Sequence, residues 1–248
     1  MTYAVLPERG KLPALADPPV AADLTDEVLV ELNARFERAS AGQVIEWAVE
    51  RFHPHLCLTA SMTDAVLIDV ATKVEPSIEV VFIDTGYHFP ETLATLELVR
   101  RRYSLNLRIM TVAQPTVPLW KSDPVHCCTP AKVAQLERAL AGKAAWMSGL
   151  RRQEASTRRD APIVTRDKRG LIKLNPLATW TDLDVEGYIA DHDVPVNPLL
   201  RQGYPSIGCW PCTKAVAPGE DPRSGRWAGR AKTECGLHDE VIPADTRS

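Results

Sequence analysis

From His53-Pro54 onward, short apolar runs alternate with segments of helical period, and this alternation limits the fold more than any other feature of the chain. HLCLT (55–59), EVVFI (79–83), LRIMT (107–111) and AAWMSG (144–149) read as strands. Ala65–Lys73, a segment opening at Pro90 and another opening at Thr129-Pro130 read as the helices between them. The runs are continuously apolar, as strands are when helices cover both faces of a parallel sheet. The expected class is therefore α/β, a mostly parallel sheet with helices on both faces. Upstream, Val28, Leu29, Leu32 and Phe36 form one helical stripe with Thr25 as its cap, and Val44, Ile45, Ala48 and Val49 form a second. Residues 1–22, rich in Pro and Ala and without apolar period, read as a flexible tail. The regular pattern fades past Pro195, into an irregular segment that holds three of the six cysteines. The expected division is a tail at 1–22, an α/β domain at 23–213 and a mobile C-terminal segment at 214–248.

In sheets of this kind ligands bind at the carboxyl ends of the strands. That rule singles out the loops Ala60–Asp64, Asp84–His88 and Gly149–Arg159. TASMTD (59–64) offers hydroxyls and backbone N–H groups at a helix start, Ser61 among them, and FIDTG (82–86) gives a tight acidic turn with Thr85 and Gly86. SGLRRQEASTRR (148–159) carries four arginines directly after a strand, and Arg151 and Arg152 have the planar fork that suits phosphate or sulfate oxygens.

The cysteines fall into two groups. HCCTPAK (126–132) and GCWPCT (208–213) together supply four thiolates, Cys127, Cys128, Cys209 and Cys212, to one metal centre. Adjacent side chains diverge, so the Cys127-Cys128 pair suits a cluster with separated irons better than one tetrahedral zinc, although four thiolates also suit zinc. The helix start after the pair places it where the dipole favours thiolate and an anionic cluster. Cys235 stands apart, in KTECGLH (232–238), with Arg223, Arg226, Arg230 and Lys232 before it and His238 after it. Cationic neighbours enrich the nucleophilic thiolate. Cys57 lies within the apolar strand and reads as core, and His53, His55, His88, His126 and His192 show no metal spacing.

Net charge is −3, so no global basic surface points to nucleic acid or to an anionic membrane. Neither a signal peptide nor a span is legible, and a cytoplasmic protein is expected; in that reducing compartment the six cysteines are ligands or reactive thiols. The sequence leaves assembly into a homo-oligomer open.

The middle Cys-Cys pair, GCWPC and KTECGLH, with DTGYHFPET (84–92), SGLRR (148–152), NPLL (197–200) and GYPSIGC (203–209), together resemble the assimilatory adenylyl-sulfate (APS) reductases of the phosphoadenylyl-sulfate (PAPS) reductase family. The resemblance runs from about Leu56 to His238. It implies a fold related to the ATP pyrophosphatases and adenine nucleotide alpha hydrolases, and reduction of APS to sulfite and AMP with thioredoxin as electron donor. It further implies that Cys235 attacks the sulfate sulfur to leave an S-sulfocysteine, and that Cys127, Cys128, Cys209 and Cys212 hold a 4Fe-4S cluster. Lys132 would lie between cluster and substrate, with Arg223, Arg226 and His238 on the phosphosulfate. Ser61, Thr85 and Gly86 would hold the nucleotide, and Arg151 or Arg152 would close over its phosphate. The chain departs from the relatives at TASMTDA (59–65), which has no glycine where the pyrophosphatases carry SGGxDS.

Three alternatives remain at the level of sequence. A PAPS reductase shares the chemistry, but members restricted to PAPS generally lack the cluster cysteines. An ATP-dependent tRNA thiolase needs a phosphate loop and a basic RNA surface, which the glycine-free loop and the −3 charge oppose. A zinc-stabilised binding module would use the same four thiolates without catalysis.

Overall fold

The computed structural model describes residues 23–113, 117–122 and 130–227. Among the described residues six strands form one sheet: β1 (Leu56–Ala60), β2 (Glu79–Asp84), β3 (Asn106–Thr111), β4 (Ala145–Ser148), β5 (Val164–Arg166) and β6 (Ile172–Leu174), in the order β3-β2-β1-β4-β6-β5. All neighbours are parallel except the β5–β6 pair at one edge. The mostly parallel sheet expected from the apolar runs is thus present.

Helices cover both faces because side chains alternate along each strand. Leu56, Leu58, Val80, Phe82, Ala145 and Met147 point to one face. There they pack with α1 (Asp26–Phe36), α2 (Ala41–Phe52), α3 (Val66–Val74), α4 (Pro90–Tyr103) and α7 (Asp182–His192). The intervening Cys57, Val81, Ile83 and Trp146 meet Leu136, Ala139 and Leu140 of α6 (Pro130–Leu140) on the other face. A short α5 (Leu119–Ser122) precedes it. Cys57 is core, as expected, and burial pushes its thiol up to about 12.

Local signals set the helix starts. Thr25 accepts from Val28 N–H at the head of α1, and Ser40 and Gln43 form a reciprocal capping box on α2. Pro90 stands at the first turn of α4, where a missing N–H costs nothing. The α7 helix has its own box between Thr181 and Asp184. At the β5 edge the Asn33 carboxamide acts as an extra strand, accepting from Ile163 N–H (2.8 Å) and Val164 N–H (3.1 Å) and donating to the Val164 carbonyl (2.7 Å). No helix of the described residues is long and apolar enough to cross a membrane.

Two sequence expectations change here. The β5–β6 hairpin and α7 fall in a stretch where no element was expected. The division at 213 is not a structural break: Lys214 N–H donates to Gly225 carbonyl, Val216 N–H to Gly203 carbonyl, and Trp227 N–H to Cys212 carbonyl. Trp227 is buried, so the chain is fastened to the domain through residue 227. The tail at 1–22 and residues 228–248 lie outside the described residues.

Candidate active site

The sheet order fixes where a ligand can sit. From β1 the chain crosses over to β2 on one side, whereas β4 continues to β6 on the other. β1 and β4 therefore bound the switch point, and ligands of such sheets bind outside the carboxyl ends of the strands there. The three loops singled out in the sequence follow β1, β2 and β4, all at this edge.

The loop after β1 turns at Met62, which is wholly buried and has φ of 61°. Ser61 is exposed, with its hydroxyl 3.3 Å from that of Thr63. Asp64 accepts from Val66 N–H at 3.0 Å, at the head of α3. Burial pushes the Asp64 carboxyl above its ordinary range, the Val66 N–H opposes this, Glu154 adds to it and Arg151 opposes it.

Arg151 and Arg152 are tied to the scaffold rather than presented to an anion. Arg151 donates to the Asp182 carboxylate (2.8 Å) and the Trp180 carbonyl (3.5 Å), and Arg152 forks onto Glu37 at 2.6 and 3.0 Å while its Nε donates to Ala161 carbonyl. All three guanidinium nitrogens of Arg152 are engaged in this way. The position of the two arginines after a strand was informative, but the acidic partners come from distant elements that sequence order does not reveal.

The loop after β2 is bound directly to the second cysteine motif. Gly86 adopts φ of 71°, with its N–H on the Asp84 carboxylate at 2.8 Å, which turns the chain sharply. His88 and Cys209 then form an antiparallel bridge, and Trp210 N–H donates to Tyr87 carbonyl at 2.9 Å. The Thr85 hydroxyl lies 3.1 Å from Cys209 Sγ. Burial holds the His88 imidazole below its usual pKa; the Ile83 carbonyl, 3.0 Å from Nε2, opposes this and the charge of Lys132 adds to it. Lys132, half-buried on the first turn of α6, is therefore close to the same loop. The ring of Trp210, between the two cysteines, stacks edge-on with Trp120 at 5.3 Å.

Cys209 and Cys212 sit on one tight turn, with Cys212 N–H on the Cys209 carbonyl at 3.0 Å. Two thiols on one turn, with a hydroxyl beside one sulfur, form a donor set that fits thiolate ligation of a metal centre. Cys127 and Cys128 lie outside the described residues, as do Cys235 and His238. Among the described residues no group of three or more His, Cys, Asp or Glu is disposed to hold a metal ion.

Arg223 and Arg226 converge beside this turn. Both reach the Ser206 hydroxyl, at 3.5 and 3.2 Å, and Arg226 also donates to Ile207 carbonyl at 3.2 Å while lying 4.5 Å over the Trp227 ring. The Arg226 Nε is buried with no hydrogen-bond partner. Gly208 makes this possible, since a Cβ there would meet the guanidinium at 2.3 Å. The structure thus brings Thr85, Gly86, Lys132, Cys209, Cys212, Arg223 and Arg226 to one region. The sequence marked neither Ser206 nor Asn197 as a site residue, and His88 stood among the histidines without metal spacing. NPLL was visible as a motif, but nothing in it announced where the asparagine points.

The phosphoadenosine phosphosulfate reductase domain matches residues 55–215. The chain is 45% identical over 232 residues to the adenosine 5'-phosphosulfate reductase of Streptomyces coelicolor, covering 88% of this chain and 98% of that one. It is 47% identical over 214 residues to the same-named protein of Mycobacteroides abscessus, covering 83% and 90%. Among solved structures, a phosphoadenylyl-sulfate reductase from Candida auris, in a phosphate complex, aligns with a TM-score of 0.67 at 31% identity, over 78% of this chain and 98% of that chain. An FMN adenylyltransferase from Candida glabrata shares the fold alone, with a TM-score of 0.53 at 15% identity over 76% and 73% of the two chains. The family model spans most of the chain and the bacterial relatives align nearly end to end, so the chain belongs to the phosphoadenosine phosphosulfate reductase family, among its adenosine 5'-phosphosulfate reductases.

Proposed function

We propose that the chain reduces adenosine 5'-phosphosulfate to sulfite and AMP in sulfate assimilation, in the cytoplasm, with thioredoxin as the electron donor. The observation that carries this reading is the direct fastening of the nucleotide-side loop Thr85–His88 to the Cys209–Cys212 turn, with Lys132, Arg223 and Arg226 gathered around it. Relatives aligned over nearly their whole length carry the name of that reaction.

The chemistry asks for such a cationic pocket. The sulfate sulfur is shielded by anionic oxygens, so a thiolate approaches only where fixed positive charge offsets them and the phosphate leaving group is stabilised. Lys132, Arg223 and Arg226 supply that charge, and the Thr85 and Gly86 turn holds the nucleotide. The Cys235 thiolate attacks the sulfur; a sulfur–sulfur bond forms, the sulfur–oxygen bond to phosphate breaks, and AMP leaves with the electron pair. His238 stands three residues beyond the nucleophile, within the same pocket in this reading. One thioredoxin thiolate then attacks Cys235 Sγ and displaces sulfite, and the second thioredoxin thiol regenerates the Cys235 thiolate. The two electrons come from the dithiol.

Cys127, Cys128, Cys209 and Cys212 would hold one 4Fe-4S cluster, whose charge, when it is bound, orders the field around the substrate and is not the source of electrons. The test is to react the purified protein with substrate in the absence of thioredoxin. The wild type gains the mass of one sulfonate on Cys235 and releases AMP, whereas Cys235→Ser does neither and keeps its iron. Turnover by Cys235→Ser, or loss of iron from it, would remove Cys235 from this role.

A further inference from the structure

The loop after β1 poses a problem that the family resemblance does not solve. Residues 59–65 contain no glycine, yet the backbone at Met62 adopts the left-handed conformation that glycine favours. The Met62 side chain is wholly buried in the core, so it pins the turn from below. It does nothing for the Met62 carbonyl, which faces inward and needs a donor.

Asn197 provides it. This residue is completely buried, and its Nδ2 donates to the Met62 carbonyl at 3.1 Å and to the Thr92 hydroxyl at 3.0 Å, while its Oδ1 accepts Leu199 N–H at 3.1 Å. The amide is fully used, with both donors placed and the acceptor capping the helical turn Pro198–Gln202. The adjoining backbone reinforces the link. Asn197 N–H donates to Thr63 carbonyl (3.0 Å), Ala65 N–H donates to Pro195 carbonyl (3.1 Å), and Asp64 and Val196 form an antiparallel bridge. A segment more than a hundred residues away in sequence thus clamps both sides of the turn.

We infer that Asn197 is a positioning residue for the sulfonucleotide: its carboxamide holds the glycine-free turn Ser61–Asp64 in a left-handed shape through the Met62 carbonyl. This rests on the reading that the carboxyl edge of β1 lines the substrate pocket. A turn that binds the nucleotide part, away from the reacting sulfur, contributes equally before and during reaction, so loosening it weakens binding and leaves the chemical step alone. Asn197 acts through Met62 and does not touch the nucleotide itself.

Three variants test the assignment. Asn197→Ser keeps a cap for Leu199 but is too short to reach Met62, and Asn197→Asp keeps the shape and the acceptor but has no donor. Thr92→Val removes the other partner of the same carboxamide and leaves the Met62 contact in place. Read together are amide hydrogen exchange over residues 59–66, the dissociation constant for AMP, and KM and kcat with adenosine 5'-phosphosulfate. In Asn197→Ser and Asn197→Asp, exchange at 61–65 should accelerate, and KM and the AMP dissociation constant should rise about tenfold with kcat nearly unchanged. Thr92→Val should lose melting temperature without either effect. An unchanged exchange rate in both Asn197 variants, binding within twofold of wild type, or an equal rise in KM for Thr92→Val would overturn the assignment. Wild-type protein that binds neither AMP nor the sulfonucleotide would instead overturn the functional reading, and the exchange comparison would still decide whether Asn197 holds the turn.

Discussion

Gly208→Ala puts the arrangement around Arg226 under direct strain. A methyl at this position would stand 2.3 Å from Arg226 Nη2, 2.6 Å from Cζ and 3.0 Å from Nε. Ordinary contact needs well over 3 Å, so one of the two must move, and the guanidinium is the free end of a flexible side chain. Moving it gives up the bonds to Ser206 and Ile207 carbonyl and the stacking on Trp227. At about 1 kcal/mol for each hydrogen bond and a similar amount for the cation–π contact, the local loss is roughly 2–4 kcal/mol. For a chain of this length that lowers the melting temperature by roughly 5–10 °C without unfolding the domain. If Arg226 serves the phosphosulfate, kcat/KM falls by at least about tenfold, or ~1.4 kcal/mol of transition-state stabilisation. The decisive assay is a double-mutant cycle in kcat/KM with Gly208→Ala, Arg226→Ala and the pair. One mechanism predicts that the double variant is no worse than Arg226→Ala. Additive losses, or a Gly208→Ala enzyme with wild-type kcat/KM, would refute the chain of reasoning from glycine to arginine to substrate.

Two further outcomes follow from buried groups. Asp69 accepts from Tyr188 OH (2.6 Å), Tyr103 OH (3.0 Å) and Lys73 (2.6 Å), joining α3, α4 and α7. Desolvation alone would raise its pKa, but those partners overcome it and hold the carboxyl below its ordinary value. A depressed folded pKa stabilises above the unfolded value of about 3.9 and is lost as pH falls through the folded one. Asp69→Asn should therefore cost about 1–3 kcal/mol in urea unfolding at pH 7, with the gap to wild type narrowing below about pH 4; a gap independent of pH would contradict this. Cys57, with its thiol pushed up to about 12 by burial, should resist alkylation at pH 8 in the native protein and react fully in urea; peptide mapping that finds rapid native labelling would show that the α6 face of the sheet opens.

Much of the scaffold was legible because continuous apolar runs and caps act locally. Strands β1 to β4, the helices α3, α4 and α6 between them, the cap at Thr25 and the helix start at Pro90 followed from period and spacing, whereas the four-residue α5 did not. The missed elements had little local signal. β5 and β6 are three residues each, and only Val185 of α7 is buried, so no stripe marks that helix. The three loops singled out by the strand-end rule do lie together at the carboxyl edge of the sheet. What the rule did not convey was which polar groups are already taken: Arg151 and Arg152 look free in sequence, and Asp182 and Glu37 claim them only in three dimensions. The glycine-free loop was informative only in part. The sequence showed a departure from the SGGxDS pattern but not what replaces it, which is Met62 in the left-handed region held from a distance by Asn197. The joining of Thr85 to Cys209 was likewise invisible to spacing, since 124 residues separate them.

The central claim is that this chain reduces adenosine 5'-phosphosulfate through a thiol, beside a four-cysteine metal centre. The most direct measurement is single turnover of anaerobically purified protein of known iron, sulfide and zinc content, offered adenosine 5'-phosphosulfate and its 3'-phosphorylated analogue in parallel with reduced thioredoxin. The account predicts about four irons and four sulfides per chain, with AMP and then sulfite released from adenosine 5'-phosphosulfate far faster than the corresponding products from the analogue. One zinc per chain without iron, or turnover confined to the 3'-phosphorylated substrate, would contradict it.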